Sequence, residues 1–410
     1  MFLAFILGRE PHLSVAEIAA VLPDALWSTA QLGGEVLVLD VPDDVDISAL
    51  MERLGGTTKI GVVLDSIAAL DATSLAPHIL HFAKAEGKIR FGCSIYSIDA
   101  GEKRIARIRQ RLSAVARELK ALLRDAGRSA RHVTSREQTL SSVTISQEKL
   151  LPHQGGIEFL VLVANDTILL ARTMAIQPFW EWSKRDYGRP GRDAQSGMLP
   201  PKLARMMLNL ARIPDGESVL DPFCGSGTIL TEALRLGYPR IWGLDVSEKA
   251  VADSRENVVW EAEHSNATSE VTVVHGDVRE FGTSIDARVR AIVTEPYLGP
   301  SHGLTGAAGA KRVPTIVGEL RALYVHAFEE FARALTDNGR IVFIVPTFHV
   351  AGADFTISID DDVQRLGFVR INPFPEHFRN HRLLLDREHL PYAREQQVVT
   401  RNILIFERAA

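Results

Sequence analysis

VLDPFCGSGTILTEA, residues 219–233, decides the fold. It reads as a short apolar strand, a glycine-rich turn and the start of a helix. Gly225 and Gly227 let the main chain turn tightly and come close to a ligand. One helix later RIWGLD reads as a second strand ending at Asp245, and VTVVHGDV as a third ending near Asp277. VRAIVTE is a fourth strand. A long helical stretch, VGELRALYVHAFEEFARAL, runs to the turn signal Asp337-Asn338-Gly339 and the strand RIVFIVPTF. GFVRINPF and RNILIFERA read as a closing antiparallel pair. Apolar strands alternating with helices predict an α/β fold with a mostly parallel, Rossmann-like sheet of seven strands, covered on both faces. In such a sheet the ligand lies beyond the carboxyl ends of the strands, where strand order reverses.

The chain of 410 residues has room for two to three domains, and its 46% hydrophobic content supplies more than one core. A net charge of −5 announces no nucleic-acid binder globally. Locally the picture differs: residues 102–137 hold eleven Lys and Arg against four Asp and Glu. Two cysteines, Cys93 and Cys224, make no disulfide framework and suit a reducing compartment. The opening MFLAFILGREPH lacks a basic leader and a cleavage site, so it reads as a strand. No apolar run reaches membrane-spanning length. The expected setting is cytoplasmic, and the histidines show no metal-ligand spacing.

Upstream of the glycine turn the pattern is looser. FLAFILG and GEVLVLDV read as strands flanking the helix LSVAEIAAVL, with Ser14 as its N-cap. TKIGVVLDSI and IRFGCSIYSI are further strands. In the basic helix that follows, Ile105, Ile108, Leu112, Val115, Leu119, Leu122 and Leu123 recur at spacings of three and four. Arg104, Arg107, Arg111 and Arg117 lie off that stripe. RHVTS, EFLVLVAN and TILLARTMAI close the region, the last two joined at Asn165-Asp166. QPFWEWSKRDYGRPGRDAQSGMLPP has no periodicity and reads as the main linker.

Two cofactors suit a sheet of this kind. A nicotinamide dinucleotide wants G-x-G-x-x-G, and the residue three after Gly227 is Leu230. Asp221-Pro222 precedes the glycines, and a carboxylate there repels a pyrophosphate. It suits the ammonium or ribose of S-adenosylmethionine. Asp245 can accept from ribose hydroxyls, and Asp277 from an adenine amino group. The expected cofactor contacts are Asp221, Pro222, Phe223, Gly225, Gly227, Thr228, Asp245, Val246, Asp277 and Val278, with Pro200 ahead of them.

LDPFCGSGTILTEA, GLDVS, HGDV and TEPY together resemble class I SAM-dependent methyltransferases. YGRPGRDAQSGMLPPKLARMMLNLA, residues 187–211, and the opening FILGREPHLSVAEIAAVL are similar to RNA guanine-N2 methyltransferases that carry a THUMP domain. These include the family acting on guanosine at tRNA position ten. The resemblance covers nearly the whole chain and is loosest between about residues 65 and 175. It implies an N-terminal ferredoxin-like domain over 1–65, a THUMP RNA-binding domain over 66–178, a linker over 179–200 and the methyltransferase domain over 201–410. It also implies methylation of guanosine N2 in tRNA, giving mono- or dimethylguanosine, and leaves open a small activator subunit, as in eukaryotic relatives.

The reacting corner is TEPYLGP, residues 294–300. Many enzymes that methylate an amino group carry Asp-Pro-Pro-Tyr or Asn-Pro-Pro-Tyr here. A guanine N2 lone pair is delocalised into the ring. A side-chain acceptor and a fixed carbonyl, both bonded to the amino group, draw the nitrogen toward a pyramidal shape. Pro296 fixes the carbonyl direction, and the ring of Tyr297 stacks on the base. In register, Thr294 takes the Asp position. Glu295 replaces it if the main chain is shifted, and is favoured because a charged acceptor bonds more strongly. An inert corner with an exposed Glu295 is the bland alternative. Leu298, Gly299 and Pro300 shape the wall behind the base, and Gly299 starts a loop running to Gly309. A cytosine-C5 route needs a Cys nucleophile; Cys224 sits in the cofactor turn and Cys93 in the other half.

For RNA, Lys120, Arg124, Arg128, Arg131 and Arg136 offer phosphate contacts. THUMP domains resemble the 127–131 loop and bind the acceptor end of tRNA. Lys184, Arg185, Arg189 and Arg192 in the linker add to these. Trp180 and Trp182 either stack on bases or pack the linker down. The target base must leave its stack. Two readings compete with methylation at position ten: an N2-guanine methyltransferase on another tRNA site or ribosomal RNA, and a catalytically silent SAM- or RNA-binding protein.

Overall fold

The computed structural model describes residues 1–22, 24–84, 87–192, 198–265, 267–280, 288–300, 304–384, 389–393 and 399–409. They fall into two compact units: Met1–Val15 with Pro23–Phe179, and Ala16–Leu22 with Trp180–Ala410.

In the first unit, successive apolar runs build one mixed sheet. Its strands are β1 (Phe2–Leu7), β2 (Gln31–Leu32), β3 (Val36–Asp40), β4 (Thr57–Ile67), β5 (Ile89–Ser97), β6 (Ala130–Val133), β7 (Ile157–Val163) and β8 (Ile168–Ile176). Their order is β2-β3-β1-β4-β8-β7-β5-β6. The boundary expected between residues 65 and 66 falls inside β4, which pairs with β1 on one edge and β8 on the other. Residues 1–65 and 66–178 thus share one sheet, because an eleven-residue strand has both edges to offer. The helix Glu102–Asp125 buries Ile105, Val115, Leu119 and Leu123, and Arg107, Arg111 and Arg117 are exposed, as the periodicity requires. Ser14 is not an N-cap: the helix starts at Pro11, and the Ser14 hydroxyl donates to Gly56 O at 2.7 Å. The polar core is Glu158, fully buried, which accepts from Lys59 Nζ at 2.6 Å and from the hydroxyls of Ser94 and Thr173 at 2.5 Å.

The second unit holds β9 (Ser218–Asp221), β10 (Arg240–Asp245), β11 (Glu270–His275), β12 (Val289–Thr294), β13 (Leu335–Val350), β14 (Ala353–Thr356), β15 (Phe368–Arg370), β16 (Leu390–Tyr392) and β17 (Val399–Arg408). The main path is β11-β10-β9-β12-β13-β17-β15. The first five of these run parallel to their neighbours, and β17 is antiparallel to both β13 and β15. The seven expected strands are therefore joined by two more: β14 against β13 and β16 against β17. Both are too short, at four and three residues, to show a period. Asn338, at φ +59°, kinks the start of β13 where the turn signal lies. The helix Gly306–Ala334 lays Tyr324, Phe328 and Phe331 on the sheet. The Phe328 ring centroid lies 5.2–5.5 Å from those of Phe343, Phe368 and Phe406.

The expected linker is partly helical. Phe179–Tyr187 forms a helix that buries Trp182 and Arg185. Two inward residues three apart are too few for a periodic signal. Residues 193–197 of the same stretch lie outside the described residues.

Candidate active site

Strand order reverses between β9 and β12: the chain leaves β9 for β10 and β11, then returns to the other side of β9. The carboxyl ends of β9, β10 and β12 bring Asp221, Asp245 and Thr294 to one rim. Gly225 and Gly227 turn the chain there with φ of +51° and +79°. A Cβ on Gly225 would meet open space, whereas one on Gly227 would stand 2.5 Å from Ser254 Oγ. Gly225 therefore leaves room for a ligand, and Gly227 lets the helix Glu248–Ser265 close in. Asp245 folds the turn, with Oδ2 accepting from Gly225 N at 2.8 Å and Oδ1 from Ser247 N at 2.9 Å.

Asp221 is 2% exposed. Burial pushes its carboxyl up to about 7, against the opposing bonds from Thr294 and Phe223, and nearby Asp245 and Glu295 add repulsion. Asp221 Oδ1 accepts from the Thr294 hydroxyl at 2.6 Å and from Phe223 N at 3.2 Å. Thr294 is fully buried.

A cavity of ≈ 710 Å³ opens at this rim. Asp221, Phe223, Gly225, Thr228, Asp245 and Val246 line one part, and Glu295, Pro296, Tyr297, Leu298, Gly299 and Pro300 another. Of the two candidate acceptors, Glu295 faces the cavity, while Thr294 sits behind it with its hydroxyl committed to Asp221. Arg401, on β17, reaches the same wall, and its Nε donates to Glu295 Oε1 at 2.5 Å. The Tyr297 ring is 58% exposed, and its carbonyl accepts from the buried Tyr324 hydroxyl at 2.7 Å. Burial holds that hydroxyl well above its ordinary range, so it stays a donor and fixes the corner. Residues 301–303 of the expected 299–309 loop lie outside the described residues.

Pro200, Pro222, Gly227, Asp277 and Val278 do not line the cavity. Arg279 clasps Asp277, its Nε donating to both carboxylate oxygens at 3.0 and 3.1 Å, and this pairing holds the Asp277 carboxyl below the usual range. Val278 is 4% exposed in the apolar core. Neither Cys224 nor Cys93 is poised as a nucleophile: burial drives the Cys224 thiol well above its ordinary range and Cys93 up to about 12.

Three side chains hold the site in ways that the sequence pattern does not signal. Asn257 Nδ2 donates to Ser226 O and Gly191 O, both at 2.7 Å, and its Oδ1 accepts from Gly191 N at 2.9 Å. Arg189, 4% exposed, donates to the Thr228 hydroxyl at 2.6 Å. Residues 189–191 are thereby pinned over the glycine turn. Arg401 is the third. A charged residue in the apolar strand VTRNILIF was the available clue.

The expected RNA contacts divide. Lys120, Arg124, Arg131, Arg136 and Lys184 are exposed. Arg131 pairs with Glu148 at 3.1 Å, and Arg128 donates to Lys84 O. Arg185 and Arg189 are not surface cations. Arg185 is 4% exposed, stacked 4.0 Å over Trp182, with Nε 2.7 Å from Glu232. Their guanidiniums serve packing, because buried Glu232 and Thr228 supply the acceptors. Trp182 is buried with them, whereas Trp180 is 73% exposed. Among the described residues no group of three or more His, Cys, Asp or Glu could hold a metal, and no helix is long and apolar enough to cross a membrane.

Residues 189–351 match the family model UPF0020, described as an RMKL-like methyltransferase domain, and residues 95–256 match a DNA methylase model. The chain is 35% identical over 151 residues to the tRNA (guanine(10)-N2)-dimethyltransferase of Methanothermobacter thermautotrophicus, covering 37% of this chain and 42% of that protein. It is 32% identical over 188 residues to the protein of the same name from Methanocaldococcus jannaschii, covering 44% and 48%. The matched segments thus span less than half the length of either relative. The crystal structure of TrmN from Thermus thermophilus superposes with a TM-score of 0.51 over 99% of both chains at 17% identity. That likeness and the strand order give the second unit the class I methyltransferase fold.

Proposed function

We propose that this protein transfers a methyl group from S-adenosylmethionine to the exocyclic N2 of a guanosine in tRNA, at position ten. One observation carries the proposal: Glu295 and the exposed Tyr297 ring share a single cavity with Asp221, Asp245 and the open face of Gly225. The residues fit the cofactor. The cavity lies within the usual range of about 300–1,000 Å³ for small-molecule sites, and its carboxylates match a cationic, hydroxyl-rich ligand. Asp245 would hold the ribose and Asp221 the ammonium end.

When bound, the sulfonium supplies a methyl carbon open to direct displacement. The chain's own residues then have three tasks. Tyr297 stacks on the base. The Pro296 carbonyl and Glu295 accept from the amino group and aim its lone pair. The Arg401 guanidinium pairs with Glu295 and orients it. Positioning of this kind can lower a barrier by on the order of 7–11 kcal/mol, and no covalent enzyme intermediate is needed.

The first unit takes the RNA in this reading, with a THUMP-like module built into its single sheet and Lys120, Arg124 and Arg136 as phosphate contacts. The names of the archaeal relatives support tRNA as substrate, and a cytoplasmic setting follows from it. The test is transfer of tritiated methyl to purified bulk tRNA and, separately, ribosomal RNA. Label in tRNA from the chain alone supports the proposal and dispenses with an activator subunit. Label in ribosomal RNA only, or none under any condition, overturns it.

A further inference from the structure

A second hollow, of ≈ 310 Å³, adjoins the first and shares Tyr297 and Pro300 with it. Its other lining residues, Arg312, Ile316, Glu319, Leu320 and Leu323, all come from the helix Gly306–Ala334. Arg312, Ile316, Leu320 and Leu323 recur at spacings of four and three, which puts them on one face of that helix. Gly299 lets the reacting corner close on this face: its φ is +92°, and a Cβ there would stand 3.3 Å from Ile316 Cγ2. Leu320 is buried, and Ile316 and Leu323 pack half-buried against the same core. Arg312 and Glu319 are exposed, and among the described residues neither has a hydrogen bond or ion pair. Two helical turns, about 10 Å of rise, separate them. The hollow thus combines apolar area with a cation toward one end and a carboxylate toward the other.

A nucleotide uses all three features. A base ring covers apolar side chains, and a phosphate takes the guanidinium. Every RNA base carries an N–H donor on its Watson–Crick edge, so a carboxylate there accepts from any of them and selects none. The volume sits at the small end of the usual range of about 300–1,000 Å³ for ligand cavities, on the scale of a single base. We propose that this hollow is a subsite for the nucleotide that adjoins the target guanosine in the RNA strand. Its base rests on Ile316 and Leu323, Arg312 donates to the phosphate joining the two nucleotides, and Tyr297 stands between the neighbour and the extruded purine. Holding the neighbour apart offsets the cost of taking the guanosine out of its stack. This rests on the tRNA guanine-N2 reading and adds a second nucleotide position to it.

The test uses full-length protein and ligated tRNAs: one intact, one abasic just before the methylated guanosine and one abasic just after it. On intact tRNA, Ile316→Ala lowers kcat/KM about fivefold and Arg312→Gln about tenfold, the scale of a weakened stacking contact and of a lost charge-assisted hydrogen bond. Cofactor affinity is unchanged in both variants. On one of the two abasic tRNAs the Ile316→Ala loss shrinks to less than about twofold, because the base it supported is already gone. A neutral methylphosphonate at one of the two phosphates flanking the guanosine abolishes the Arg312→Gln loss in the same way. An Ile316→Ala loss that is equal on all three tRNAs overturns the inference. So does an Arg312→Gln variant that loses nothing, or whose loss survives both methylphosphonates. Arg312 is exposed, so its arm decides if Ile316→Ala does not fold. Absence of transfer to intact tRNA by the unaltered protein overturns the functional reading itself, and this inference with it.

Discussion

At the residue scale the account turns on two carboxylates with opposite environments. Glu295 is paired with a guanidinium, and Asp221 is buried beside other acids. Replacing Glu295 by Ala lowers methyl transfer by at least about a hundredfold, the usual scale for a positioned polar group. Cofactor affinity, read by titration calorimetry, stays within a few-fold. Asp221 makes a pH prediction. Its folded-state value, about 7, lies above the ordinary 3.8. The neutral form is therefore favoured in the free protein, and stability present below the ordinary value is lost as pH rises through about 7. A cationic ligand needs the charged form. Its affinity therefore rises with pH, roughly eightfold between pH 6 and 7.5 for one group titrating near 7. Asp221→Asn flattens that rise; a profile identical to that of the unaltered protein takes Asp221 out of the cofactor site.

At the element scale a buried charge cluster fastens three helices. Glu232, on Thr228–Arg235, accepts from Arg205 Nε at 2.8 Å, on Pro201–Leu210, and stands 2.7 Å from Arg185 Nε, on Phe179–Tyr187. Glu232→Ala strands two guanidiniums and costs about 3–5 kcal/mol, readable in urea unfolding. This cluster also shows where sequence reading stops. The strand–turn–helix at Asp221 was legible because glycines at positive φ and apolar runs are local signals. The parallel character of the sheet followed from the alternation. The partner of Glu295 was not legible, since it lies more than a hundred residues away on a strand defined by its pairing. Arg185 and Arg189 misled for a related reason: a basic residue in a polar stretch looks solvated until buried acceptors from elsewhere in the chain are seen. The domain boundary expected at residues 65 and 66 overlooked that β4 offers both edges to one sheet.

At the scale of the whole molecule the charge distribution matters most. The chain carries −5 overall, yet residues 102–137 hold eleven basic against four acidic side chains. Under the proposed function, phosphate binding through that region would make tRNA affinity salt-dependent. Replacing exposed Lys120 and Arg124 together by Ala weakens binding to all tRNAs alike and lowers the slope of log K against log salt by about two. An unchanged slope places the RNA elsewhere.

The central claim, a purine amino group presented to a methyl donor by Glu295, has one direct test. Methylated tRNA is digested to nucleosides and the product identified by mass spectrometry, for the unaltered protein and for Glu295→Ala. The claim requires N2-methylguanosine or its dimethyl form, lost in the variant. Methyl on a ring nitrogen, on adenosine or on ribose, or N2-methylguanosine undiminished in the variant, would contradict it.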